Sequence, residues 1–142
     1  MKPKIIILGA HGMLGWQVLN KFKKSKLQIR CQVRNNKSKN TLIQKLNLDK
    51  KVNFFYFDVE KDNINKLSRQ ISKNDIIINC IGKIKPFINE NNLKEINAAI
   101  HVNSLFPNHL SKIIDTRNVK IYQIATDCVY SGINGNYDEF SK

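Results

Sequence analysis

The chain has 142 residues, enough for one domain with a buried core, and its 42% hydrophobic and 25% charged residues are ordinary for a soluble globular protein. Its longest apolar runs, "IIIL" and "DIIINCIG", fall short of the ~20 residues that cross a bilayer, and "MKPKIIILGAHG" runs into glycine rather than a secretory core, so no membrane is implied and the cytoplasm is the expected location. The 24 Lys and Arg against 11 Asp and Glu give +13, but the lysines are spread along the chain and densest in "KFKKSK" at a helix end, where cations suit the dipole; an anionic small molecule, not a nucleic acid, is the expected partner.

The first element is "KIIIL" (4–8), a short buried strand. A helix follows from Met13 to Lys24, with Leu14, Val18, Leu19 and Phe22 on one face. "QIRCQV" (28–33) alternates with period two and reads as a second strand. "RNNKSKN" (34–40) is a candidate mobile loop, overlapping a weaker helix near 38–47. "VNFFYF" (52–57) is a third strand, and a helix over 61–72 carries Ile64, Leu67 and Ile71. "DIIINCI" (75–81) is a continuous apolar run, typical of a parallel strand covered on both faces. A long helical region over 90–115, broken around Glu95–Asn97, leads to a fifth strand, "VKIYQIA" (119–125). Strands alternating with helices imply right-handed crossovers, so the predicted fold is α/β with a doubly wound parallel sheet.

Cys31, Cys80 and Cys128 are odd in number and widely spaced, and His11, His101 and His109 are scattered. Neither a disulfide framework nor a metal site is expected.

The first strand empties into "GAHGMLG", glycines at 9, 12 and 15 framing His11, Met13 and Leu14. Such a turn between a strand and a helix suits a pyrophosphate. Gly9 permits the turn, Gly12 admits a phosphate where a Cβ would obstruct it, and Gly15 lets the helix approach the strand. The helix N-terminus offers unpaired N–H groups. The alternative is a turn that needs glycine for its own sake.

Cofactor choice is read at the end of the second strand, about 20 residues on. "QVRNN" has Arg34 and no acid, which favours NADP(H) over NAD(H), because a guanidinium suits a 2′-phosphate; otherwise Arg34 is one more solvated cation. Asp58, followed by Val59, stands where a carboxylate could accept from the adenine amino group or cap the next helix. Cys80, Ile81 and Gly82 close the fourth strand at the edge where ligands bind open α/β sheets. Asn103 is expected at the same edge, as a site residue or a structural hydrogen-bonding group.

Together, "ILGAHGMLG", "INCIG", "VNSLFPNHL" and "IATDCVYSGINGNYDE" resemble the extended short-chain dehydrogenase/reductase superfamily, with its NAD(P)-binding Rossmann fold. Within it the likeness is nearest to dTDP-4-dehydrorhamnose reductases and related nucleotide-sugar reductases and epimerases. The resemblance implies that Thr126 hydrogen-bonds the carbonyl oxygen of a keto sugar. A Tyr-x-x-x-Lys would supply the proton and hold the ribose. Asp127 would orient the loop, and Tyr130 and Gly132 would line the substrate side.

No Tyr-x-x-x-Lys is present: Tyr56 is followed at the fourth position by Glu60, Tyr122 by Thr126, Tyr130 by Asn134 and Tyr137 by Ser141. Residues 1–142 are therefore read as the N-terminal dinucleotide-binding portion of a longer enzyme, inactive alone, with later strands and the substrate domain absent. The expected function of the whole is NADP(H)-dependent reduction of a nucleotide-linked 4-keto sugar in cell-surface polysaccharide synthesis. The alternatives are an NAD-retaining epimerase or dehydratase, or a non-catalytic NADP(H)-binding regulator. A homodimer is compatible with the full-length protein, since the superfamily's usual helix-pair interface would draw on residues near 90–115.

Overall fold

Lys4–Leu8 forms β1, buried along its whole length. In the computed structural model the described residues are 3–48, 52–114, 117–125, and 133, 135, 137, 138 and 140. The other strands are β2 (Gln28–Val33), β3 (Val52–Tyr56), β4 (Ile76–Asn79) and β5 (Lys120–Gln123). All pairings are parallel, in the order β3-β2-β1-β4-β5. Order reverses between β1 and β4, so the two crossovers leaving the sheet there go to opposite faces. A doubly wound α/β sheet of the Rossmann type is thus confirmed.

The alternation of β1 distributes the core. Ile5 and Ile7 join Leu19 of α1 (Met13–Phe22) and Leu42 and Leu46 of α2 (Asn36–Leu46) on one face. On the other, Ile6 and Leu8 meet Leu67 of α3 (Ile64–Ser68) and Leu110 of α5 (Phe106–Ile114). Successive residues of a strand face opposite layers, which is why Ile5, Ile6, Ile7 and Leu8 are all apolar.

Four expectations need correction. Leu14 is 39% exposed and outside the core, while Trp16 packs against it. Gly15, placed against the strand, sets the inward stripe at 15, 19 and 22, which turns residue 14 outward. "RNNKSKN" is not a loop: the Asn35 side chain accepts from Ser38 N–H and starts α2 at Asn36. The helix expected over 61–72 spans only Ile64–Ser68, because Gln70 and Ile71 bond back to Leu67 and Ser68 in tightened turns. Glu95–Asn97 lies within α4 (Leu93–Ile100), and the irregularity comes later, as a π-helical turn at His101–Leu105. Pro107 explains the position. It has no N–H for the Asn103 carbonyl and its ring crowds the preceding turn, and the chain responds by widening.

At the amino edge of the sheet, Lys4 Nζ lies 2.6 Å from Asp75 Oδ2 with both side chains buried, and Asp75 also accepts from the Lys4 and Ser72 N–H groups. Several other cations also have partners within the chain. Lys23 donates to the Leu46 carbonyl, while Lys45 and Lys39 sit over the rings of Trp16 and Phe54. Among the described residues no helix is long and apolar enough to cross a membrane.

Candidate functional site

Along the carboxyl edge of the sheet, the described sequence-predicted residues follow the ends of β1 (residues 9–15), β2 (Arg34), β3 (Asp58, Val59) and β4 (residues 80–82). Gly9 follows β1 with φ +71°, a left-handed conformation, and a Cβ there would meet Cys80 C at 2.9 Å and Ile81 Cγ1 at 3.0 Å. The turn closes with Gly12 N–H on the Gly9 carbonyl at 2.9 Å. A Cβ on Gly15 would stand 2.0 Å from the same carbonyl oxygen. The turn is thus built for glycine at 9 and 15. Gly12 differs: among the described residues a Cβ there would approach only Gly9 O, at 3.2 Å, and it is exposed.

The start of α1 differs from those of α2, α3 and α4 (Leu93–Ile100) in lacking a side-chain cap. Asn35, Asn63 and Asn92 each cap a helix through their side chains, whereas α1 begins at Gly12 with no side-chain cap and no acid in its first turn. Its first N–H groups and the positive dipole end are left for an anion. His11 and Met13 are exposed beside it.

Gln32, which sequence reasoning missed, braces this turn. Its buried amide accepts from Gly9 N–H at 2.7 Å and donates to the Phe57 carbonyl. A polar residue at an inward-facing position near the end of β2 was the available signal. Asn79 does similar work across the switch, accepting from Ile81 N–H and donating to Gln123.

Arg34 is exposed just after β2 and makes no hydrogen bond or ion pair among the described residues. Asp58 lies two residues beyond β3, and its Oδ1 accepts from Glu60 N–H. It does not cap α3, which Asn63 does. Asp58 N–H donates to Asp62 at 2.7 Å; the hydrogen bond from Lys66 holds the Asp62 carboxyl below its usual range, so that acceptor stays ionised. Val59 is half-buried, and its carbonyl is held by His101 Nε2 at 2.9 Å.

Cys80 and Ile81 are half-buried beside Gly9, and burial raises the Cys80 thiol pKa. Asn103 comes close to Gly82, as expected, and both ends of its amide are used: Oδ1 accepts from Lys83 N–H and Nδ2 donates to Lys83 O, each at 2.8 Å. Thr126, Asp127, Tyr130 and Gly132 lie outside the described residues. Among the described residues no group of three or more His, Cys, Asp or Glu could hold a metal.

A glycine turn into an uncapped helix at a topological switch point defines a dinucleotide-binding α/β chain. Its family follows from sequence: the pattern of the NAD dependent epimerase/dehydratase family matches residues 5–141, and the chain belongs to that family. No curated protein matches it. Among solved structures it is similar to Pen from Bacillus thuringiensis (16% identity, TM-score 0.76), covering 91% of this chain and 39% of that one. It is similar to the bulky-bulky ketone specific alcohol dehydrogenase from Comamonas testosteroni (16% identity, TM-score 0.74), covering 92% and 57%. An actinorhodin polyketide ketoreductase solved with NADPH is similar at 12% identity and TM-score 0.67, covering 87% and 53%. At these identities the likeness is one of fold. The chain spans well under two thirds of the length of each.

Proposed function

We propose that this chain is the dinucleotide-binding part of an NADP(H)-dependent reductase of a nucleotide-linked 4-keto sugar, similar to dTDP-4-dehydrorhamnose reductases and serving cell-surface polysaccharide synthesis. The observation that carries the nucleotide part is the uncapped N-terminus of α1 behind Gly9 and Gly12 at the β1/β4 switch. Those amides would take the pyrophosphate. Asp58 would accept from the adenine amino group, and exposed Arg34 would pair with a 2′-phosphate. Cys80–Gly82 would border the cofactor ribose.

The cofactor, when bound, supplies hydride exchange with a sugar carbon. By the family resemblance, Thr126 would hydrogen-bond the sugar carbonyl oxygen, with Asp127, Tyr130 and Gly132 on the substrate side. The family's own description favours a second reading, an epimerase or dehydratase that keeps NAD bound. The two are separated by purifying the protein and measuring retained nucleotide, then assaying NADPH oxidation with a 4-keto sugar nucleotide. Loosely bound NADPH and substrate-dependent oxidation support the reductase. Tightly retained NAD with no net oxidation of added NADPH supports the epimerase or dehydratase.

A further inference from the structure

The turn after β3 is gripped from outside by the π-helical segment. Phe57, the residue before Asp58, packs its ring on Phe106 with centroids 6.1 Å apart, and both side chains are fully buried. Val59, the residue after Asp58, has its carbonyl held by His101 Nε2 at 2.9 Å. A carbonyl only accepts, so this bond requires the imidazole to carry hydrogen on Nε2. His101 and Phe106 are the two ends of one widened turn, joined by the Phe106 N–H to His101 carbonyl bond. Asp58 is therefore bracketed on both sides by a single rigid piece of helix.

The bracket matters because, among the described residues, the other hydrogen bonds of the 58–62 turn are its own short-range ones, to which half-buried Val59 adds packing against the core. Asp58 N–H reaches Asp62, Glu60 N–H reaches Asp58 Oδ1, and the Lys61 and Asp62 N–H groups reach the Asp58 carbonyl. Such a turn keeps its shape but can tilt as a unit on the end of β3. Glu60 and Lys83 approach to only 3.7 Å at a partly exposed position, too loose to prevent this. The His101 bond reaches this turn from a helix 42 residues away in the chain.

We propose that His101 is a positioning residue for the adenine half of the dinucleotide: it holds the Asp58–Val59 turn at the angle the base requires. This rests on the dinucleotide reading of the carboxyl edge. His101 does not touch the cofactor. It acts by having the turn already set, so that binding the base orders nothing further. The π turn provides the anchor, which gives the irregularity caused by Pro107 a use.

The test measures ADP-ribose and reduced nicotinamide mononucleotide, the two halves of the cofactor, against the wild-type protein, His101→Ala, His101→Gln and His101→Asn. His101→Ala weakens ADP-ribose about tenfold, the scale of one buried hydrogen bond, and leaves the nicotinamide half within about twofold. Gln, whose amide can reach and donate, recovers most of the loss; Asn, one carbon shorter, does not. Amide exchange at Val59 and Glu60 without ligand quickens in His101→Ala and His101→Asn, while β1 stays protected. Should His101→Ala not fold, the Gln and Asn pair decides the matter by the same readouts. An unchanged ADP-ribose affinity, an equal loss of both halves, or a Gln variant no better than Asn overturns the proposal. A wild-type protein that binds no ADP-ribose overturns the dinucleotide reading itself, and this proposal with it.

Discussion

Gly15 and Gly9 are in contact across the first turn: a Cβ on Gly15 would lie 2.0 Å from the Gly9 carbonyl oxygen, far inside van der Waals distance. No rotamer can relieve this clash, because both atoms are fixed to backbone. Gly15→Ala is therefore expected to destabilise the fold by about 3 kcal/mol or more, at the upper end of overpacking. Gly12→Ala, with only a 3.2 Å approach to Gly9 O, should cost no more than about 1 kcal/mol. Urea titrations of the two variants check the contrast, and similar losses would contradict it.

The Lys4–Asp75 pair sits at the opposite edge of the sheet, fully buried and tied to Ser72. Removing one partner leaves the other charge uncompensated, so Asp75→Ala should cost about 3–5 kcal/mol. Because the pair lies at the amino ends of the strands, nucleotide affinity of the folded fraction should not change. Denaturant midpoints and nucleotide titration separate the two effects.

Burial pushes the Cys31 thiol pKa from 9.0 up to about 12. The group's folded pKa lies above its unfolded one, so its stability contribution is complete below pH 9.0 and is lost as pH rises toward about 12. Within that window the loss is about 1.4 kcal/mol per pH unit. Other groups titrate there too, so the comparison is with Cys31→Val, which keeps the shape. Between pH 9.5 and 10.5, about a unit inside the window, the wild type should lose stability faster than the variant by roughly that slope; parallel curves would refute it.

Arg34 is exposed at the end of β2 and has no partner among the described residues. If it meets a 2′-phosphate, Arg34→Ala should weaken NADPH about tenfold, the lower range for a charge-assisted hydrogen bond, and leave NADH within about twofold. Isothermal titration with both nucleotides checks this. Equal losses would reduce Arg34 to a general cation, and a wild type that prefers NADH would remove the NADP(H) preference.

Much of the fold was legible because the strands are apolar runs bounded by glycine and asparagine, and parallel crossovers leave few topologies. β1 was read to the residue. The glycine turn was legible for the same reason: only glycine fits at 9 and 15, so sequence and geometry report one constraint. Helix boundaries were less so, since Asn35 and Asn63 could each be loop or cap until their side-chain oxygens were seen to accept from the Ser38 and Asn65 N–H groups. Asn103 was left between two roles, and the structure shows its amide bound to Lys83 at both ends. Gln32, and the part played by His101, escaped notice because their partners, Phe57 and Val59, are 25 and 42 residues away, and no local pattern encodes such bonds. The lysines are spread along the chain as read, but the acids are not: none precedes Asp49, so most of the positive excess falls on the segment from β1 to α2.

The most direct measurement is titration of NADPH against the wild-type protein and Gly12→Val. The wild type should bind, and the variant, folded to a similar stability, should lose binding by at least about 100-fold, because its side chain would occupy the space above the uncapped turn of α1. Equal affinity in the two proteins, or no binding in the wild type, would contradict the assignment of this turn as a pyrophosphate site.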